Sequence, residues 1–130
     1  MKLKVVPILF VILLLAGCVA TTRDENEANY KQITMSEAVE IMGNESDYII
    51  LDVRRPDEFA AGHIPNAVNI PNESIDSNEI TELPDKDKLI LVYCRSGNRS
   101  KQASQKLVKL GYTNVLEFGG INDWEGEIEN

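Results

Sequence analysis

The chain is expected to fold as an α/β domain on a largely parallel sheet, because short apolar runs alternate with capped or amphipathic segments along its length. Two runs carry most of that expectation. Tyr48 to Val53 is an apolar run rich in Ile and closed by Asp52 and Arg54, the pattern of a strand covered on both faces. Lys88 to Tyr93 is the main strand, followed at once by Cys94, a polar loop and the clearest helical pattern in the chain. Sheets of this kind bind ligands at the carboxyl ends of their strands. Cys94 lies at one of those ends.

The other elements follow in order. Thr34-Met35-Ser36-Glu37 is a capping box, in which hydroxyl and carboxylate satisfy the orphan N–H groups of a helix start. Ala38, Ile41 and Met42 give that helix an apolar face, and Gly43 stops it. Pro56 to Ala61 suits a short helix, with Asp57 and Glu58 in the first turn where carboxylates favour the dipole, and Gly62 at its end. Ala67 to Ile70 is a short strand between the turn signals Pro65-Asn66 and Pro71. Glu73 to Glu82 is polar, with Ile75 and Ile80 five apart in a weak helical pattern, and Pro84-Asp85 begins the turn before the main strand. Ser100 to Leu110 is a helix with Ala103, Leu107 and Leu110 on one face and Lys101, Lys106 and Lys109 toward solvent; Gly111 caps it. Asn114 to Phe118 is the last strand, and Gly119-Gly120 leads into a short helical turn holding Ile121 and Trp124.

A cysteine that ends a buried strand is most often inert packing. The residues after Cys94 argue otherwise, since no core accepts Arg95, Ser96, Gly97, Asn98, Arg99 and Ser100 in succession. Burying two unpaired arginines costs several kcal/mol, so this loop faces solvent or an anion. Backbone N–H groups of the loop and of the helix start converge near the thiol, and the helix dipole adds about half a positive charge there. The thiolate is the reactive form of cysteine, and such surroundings favour it. Cys94 is therefore the expected nucleophile, with residues 95 to 100 as the expected binding loop for an anionic substrate.

The first residues have the pattern of a targeting segment. Lys2 and Lys4 form a positive region, Val5 to Leu15 an apolar one, and Leu15-Ala16-Gly17-Cys18 closes it. Eleven helical residues reach about 16 Å, roughly half of the ~30 Å bilayer core, so the segment is a signal and not a span. The small residues before Cys18 resemble the lipobox of bacterial lipoproteins, which implies a signal peptide over 1–17 and a diacylglycerol-modified Cys18. Residues 18–30, rich in Thr, Asp, Glu and Asn, suit a flexible tether, and the folded domain is expected over 31–130.

Removing 17 of the 130 residues leaves 113, enough for one domain, and losing Lys2 and Lys4 takes the net charge from −8 to −10. So acidic a chain lacks the basic stripe that nucleic acid requires. Its expected membrane link is the lipid on Cys18, and its expected state is monomeric. Lipidation leaves Cys94 without a resolving thiol, which excludes a dithiol oxidoreductase, and His63 as the only histidine makes a zinc site improbable. No metal is expected.

Three motifs in order resemble a single-domain rhodanese carried as a bacterial lipoprotein. Asp52-Val53-Arg54, Glu58-Phe59 and Gly62-His63-Ile64-Pro65 resemble the N-terminal signature of that family, with Ala67 and Ile70-Pro71 after it. Cys94 to Ser100 resembles its active-site loop, and Gly119-Gly120-Ile121 with Trp124 its C-terminal signature. Asn66 stands where the family usually has Gly, and Asn also tolerates a left-handed backbone. The resemblance implies a mostly parallel sheet of about five strands flanked by helices. It also implies a sulfurtransferase with Cys94 as its persulfide-forming residue and no cofactor beyond that covalent intermediate. A donor such as thiosulfate would place a sulfane sulfur on Cys94, and the persulfide would hand it to cyanide or a thiol.

Roles outside the loop are expected to be structural. Asp52 and Arg54 are expected to form ion pairs with Arg99 or Glu58, His63 a hydrogen bond in a turn, Trp124 a domain-closing contact and Tyr93 packing within its strand. Arg99 is expected to steer the donor, as Arg95 does, or to brace the loop against a carboxylate. A thiol activated by its loop is expected to need no base. Two other functions compete. Rhodanese-like phosphatases and arsenate reductases place five residues between Cys and Arg to wrap a tetrahedral oxyanion, whereas four separate Cys94 from Arg99, and Tyr93 stands where many such enzymes have His. The second is a non-catalytic module that senses persulfides or binds a partner, which many family members become on losing the cysteine; this chain retains it. The expected location is an exported domain held at the periplasmic or extracellular face of a bacterial membrane.

Overall fold

The computed structural model describes residues 29–130. The signal peptide expected over 1–17, the lipidation site Cys18 and most of the tether lie outside the described residues. The described chain runs β1 (Lys31–Gln32), α1 (Met35–Asn44), β2 (Tyr48–Asp52), α2 (Pro56–Ala61), β3 (Val68–Asn69), β4 (Leu89–Cys94), α3 (Asn98–Lys109) and β5 (Val115–Gly120). Single 3-10 turns occupy Asn72–Ser74 and Ile121–Asp123. The five strands lie in the order β1-β5-β4-β2-β3, and every neighbouring pair is parallel. The α/β class with a parallel, helix-flanked sheet is thus the observed one.

This order creates a crevice. From β2 the chain passes through α2 to β3 on one side, and from β4 through α3 to β5 on the other, so the connections leaving the carboxyl ends of β2 and β4 run in opposite directions. Asp52 pairs with Tyr93 at those ends, and Cys94 is the next residue. Such a switch point is where parallel sheets hold their ligands.

Alternation along β4 divides the core in two. Ile90, Val92 and Cys94 face the side covered by α3, where Leu51, Ile75, Ile80, Leu83, Ala103 and Leu107 join them. Leu91 and Tyr93 face the other side, with Ala38 of α1, Ile50, Ile64 and Phe118. Burial of each Leu, Ile or Val is worth about 1.5–3 kcal/mol, so a strand buried on both faces holds the sheet from both layers. The capping box opens α1 as expected, with Glu37 N–H donating to Thr34 Oγ1 at 3.1 Å and Thr34 N–H to Glu37 Oε1 at 3.2 Å. Asn66 adopts φ 66°, the left-handed conformation that its side chain tolerates.

Several boundaries differ from the sequence reading. Residues 73–82 form no helix beyond the 3-10 turn; Ile75 and Ile80 instead pin an irregular crossover onto the α3 layer. α1 runs through Gly43 to Asn44, because Glu45 N–H still finds Ile41 O at 2.8 Å. β1, too short to show a period, pairs with β5 through Lys31 and Gln32. Tyr30, at the end of the expected tether, packs against the core.

Asp52 and Arg54 pair with each other instead of with Arg99 or Glu58. Arg54 Nη2 donates to Asp52 Oδ2 at 2.8 Å and Nε to both carboxylate oxygens at 3.1 Å, and a second Nη2 bond reaches Gly62 O at 2.7 Å. Tyr93 O–H donates to Asp52 Oδ2 at 2.6 Å and accepts the Ile64 N–H at 3.1 Å. Burial, and then the bond to Asp52, hold the Tyr93 phenol far above its ordinary range, so it remains a donor. Tyr93→Phe leaves the buried Ile64 N–H unpaired and Asp52 short of a donor. The expected loss is about 1–3 kcal/mol in denaturant unfolding, and an unchanged midpoint would show that the phenol is dispensable.

Candidate active site

Cys94 ends β4 with 1% of its surface exposed, and α3 begins four residues later. The tight passage depends on Gly97, which takes the N-cap position of α3 in a left-handed conformation at φ 113°. That lets the helix start at Asn98, two residues earlier than the apolar pattern indicates. Gly97 N–H then donates to Cys94 Sγ at 3.0 Å, which places the sulfur at the positive end of α3.

Ser100, wholly buried in the first turn of α3, approaches the same sulfur. Its Oγ lies 3.4 Å from Cys94 Sγ, 2.9 Å from Gly97 O and 2.7 Å from Glu117 Oε1. Glu117 of β5 is 3% exposed, and the same Oε1 accepts the Gly119 N–H at 2.8 Å. The sequence reading passed over this residue, because one Glu in a short strand reads as a surface position. The available signal was the neighbouring Gly119-Gly120.

Those glycines carry a step in the sheet. Val92 pairs with Glu117, yet Cys94 pairs with Gly120, so β5 has one residue more than β4 across this interval. Gly119 absorbs the extra residue at φ 96°, the backbone of a bulge. Gly120 then passes against the loop so closely that a Cβ would overlap the Arg95 carbonyl and Ser96 N. Asn122 N–H donates to that same Arg95 O at 3.2 Å.

The remaining loop residues separate into two groups. Arg95, Ser96 and Asn98 are exposed on the rim. Arg99 clamps Glu58 of α2, with Nη1 2.5 Å from Oε1 and Nη2 3.1 Å from Oε2. Arg99 as donor to this carboxylate lowers Glu58 from an ordinary 4.5 to about 2. Among the described residues Arg95 has no carboxylate partner, which makes it the rim cation available to an incoming anion. His63 forms an antiparallel bridge with Glu129 and not a turn, its ring stacked on Phe59 at 3.7 Å and Nδ1 2.9 Å from Phe59 O. Trp124 packs against the second core layer and donates from Nε1 to Glu127 O at 2.9 Å.

Chemically, the arrangement presents one recessed sulfur that receives an N–H bond, beside a buried hydroxyl and a cationic rim. It suits nucleophilic attack on a small anion.

Comparison with known proteins gives a consistent result. Residues 34–127 match the family described as rhodanese-like domain. The thiosulfate sulfurtransferase PspE of Escherichia coli K12 is 38% identical over 73 residues, which cover 56% of this chain and 70% of that protein. The thiosulfate sulfurtransferase GlpE of Coxiella burnetii is 37% identical over 97 residues, covering 74% of this chain and 88% of that protein. Among solved structures, a rhodanese with anions from E. coli superposes with a TM-score of 0.58 at 34% identity, covering 64% of this chain and 98% of that one.

Two outcomes follow from the geometry. The folded value of Glu58 lies below its ordinary one, so the stability that the Arg99 pair contributes is complete above about pH 4.5 and is lost as pH falls toward about 2. Thermal unfolding across that window should show a smaller fall in Tm for Arg99→Ala than for the native chain; parallel curves would exclude this linkage. Gly120→Ala should force the loop away from β5 and lower stability by about 1–3 kcal/mol in denaturant unfolding, whereas an unchanged midpoint would mean that the loop yields freely.

Proposed function

The chain belongs to the rhodanese-like domain family, and on that premise we propose that it is a sulfurtransferase which carries a sulfane sulfur on Cys94. The observation that carries this reading is the buried Cys94 sulfur receiving the Gly97 N–H at the head of α3. That donor and the helix dipole favour sulfur in its anionic forms, both the attacking thiolate and the persulfide that replaces it.

Thiosulfate is the proposed donor. Its negative charge suits the rim around Arg95, and the curated relatives named above are described as thiosulfate sulfurtransferases. Thiolate attack on the outer sulfur forms the Cys94 persulfide and releases sulfite, after which cyanide or a small thiol removes the added sulfur. The chemistry needs no cofactor beyond the covalent intermediate. Four residues lie between Cys94 and Arg99, and Arg99 is engaged with Glu58, so a loop wrapped around a phosphate or arsenate has weaker support. Retention of Cys94 favours catalysis over a binding or sensing module. We further propose that this small acidic domain is a monomer and that it lies outside the cytoplasm, held to the membrane by lipid on Cys18; the support for export and anchoring is the order Lys2 and Lys4, apolar segment and Ala16-Gly17-Cys18.

The intact mass of the full-length chain before and after thiosulfate tests the activity, with cyanide then added, thiocyanate read out and Cys94→Ser as control. Gain of one sulfur atom that cyanide removes is the expected result. Hydrolysis of a phosphatase substrate without a mass change would favour the oxyanion reading, and inertness in both assays the binding module. For the anchor, Cys18→Ser should move the chain out of the membrane fraction of the expressing bacteria, while persistence there would exclude attachment through this residue.

A further inference from the structure

Cys94, Ser100 and Glu117, at 1, 0 and 3% exposure, form a continuous hydrogen-bonded chain beneath the loop. The Ser100 hydroxyl has one proton and three acceptors in reach: Glu117 Oε1 at 2.7 Å, Gly97 O at 2.9 Å and Gly119 O at 3.4 Å. The carboxylate offers the shortest and the charge-assisted bond, so it holds that proton. Ser100 is then left with lone pairs toward Cys94, and the thiol donates to it at 3.4 Å. A buried thiol that must ionise therefore has a proton acceptor two hydrogen bonds away.

We infer that Glu117 is a positioning residue that takes up, through Ser100, the proton released when Cys94 becomes a nucleophile; this rests on Cys94 being the group that attacks the sulfur donor. The S–H proton passes to Ser100 Oγ as the hydroxyl proton passes to Glu117 Oε1. Thiol and carboxylate become thiolate and carboxylic acid, and the net charge beneath the loop does not change. The electron pair freed on Cys94 forms a bond to the outer sulfur of thiosulfate. The bond from that sulfur to the sulfonate group breaks, and sulfite leaves with its electron pair. The persulfide carries the negative charge while Glu117 keeps the proton, so two buried anions never stand side by side in a medium of low dielectric constant. The Ser100 hydroxyl, now supplied with a proton from Glu117, turns its own toward sulfur beside the Gly97 N–H. Removal of the outer sulfur by the acceptor regenerates the thiolate, and the proton returns by the same path.

Glu117 also accepts the Gly119 N–H and so braces the bulge, and the test must separate that role from the proton route. Glu117→Gln keeps the length and an acceptor oxygen for both Ser100 and Gly119 but cannot take up the proton. The measurement is the rate of Cys94 alkylation by iodoacetamide at neutral pH in the full-length chain, read by peptide mass, with thermal unfolding as a control for folding. Glu117→Gln should slow alkylation by on the order of ten- to a hundredfold, and Ser100→Ala should slow it likewise. An unchanged rate overturns the inference in favour of a structural brace, and a faster rate overturns it by showing that the carboxylate charge only opposes the thiolate. As a second readout, the infrared difference between persulfide and thiol forms should gain a protonated-carboxyl stretch that Glu117→Gln lacks; its absence from a loaded native chain overturns the route. Alkylation needs no sulfur donor. A Glu117-dependent alkylation rate in a chain that gains no sulfur from thiosulfate would thus sink the sulfurtransferase reading and leave the proton route standing.

Discussion

The carboxyl edge of the sheet depends on the step between β4 and β5, where Val92 faces Glu117 but Cys94 faces Gly120. The extra residue lets β5 run one position further beneath the loop, and only glycine fits there because the Arg95 carbonyl occupies the space of a Cβ. Arg95 is thereby held from below, by Gly120 and by the N–H of Asn122. With one end of the loop held and Gly97 turning the other directly into α3, the thiol has little freedom of position. The same step brings the Glu117 carboxylate under the first turn of α3, where Ser100 meets it. A bulge beside a reactive residue is a common use of this irregularity, and here it sets both the backbone and the buried polar groups.

Two ion pairs flank this edge with different consequences. Asp52 and Arg54 lie inside the domain, where Tyr93 completes the set of donors; the cost of removing two charges from water is offset by several bonds that join β2, β4 and the Gly62 turn. Breaking one member leaves the others exposed to that cost. Glu58 and Arg99 lie nearer the surface and tie α2 to the start of α3. The helix that supplies the positive end at the sulfur is therefore braced from the opposite side of the crevice. Both arginines are occupied by carboxylates, which concentrates the remaining positive charge of the loop in Arg95.

Much of this arrangement was legible from the residues. A buried apolar run that ends at Cys94 and passes into polar residues fixes a thiol at a strand end, and the lysine-bearing helix behind it locates the N-terminus of α3 to within two residues. Thr34 and Glu37 marked α1 because capping is a local interaction. Glu117 was not legible, because its burial arises from a register step between strands far apart in sequence. The partners of Asp52 and Arg54 are hidden in the sequence for a related reason: a pair two residues apart closes through the turn after β2, which neither charge pattern nor period reveals. Ile75 and Ile80 stand at a weak helical spacing, but both are held by tertiary contacts of an irregular segment. Helix starts suffer as well, since Asn98 and Arg99 have the composition of a loop.

The recessed position of Cys94 also separates two chemical identities of the same site. At 1% exposure the resting sulfur is shielded from bulky thiols and disulfides, so cross-linking to other proteins is sterically disfavoured. In the proposed persulfide an added sulfur would extend the side chain by ~2 Å, the length of one S–S bond, and bring the reactive atom nearer the rim. Accessibility then belongs to the cargo more than to the carrier. A domain built this way would admit only small reactants when empty and meet bulkier partners only after loading, which makes depth below the surface a form of timing.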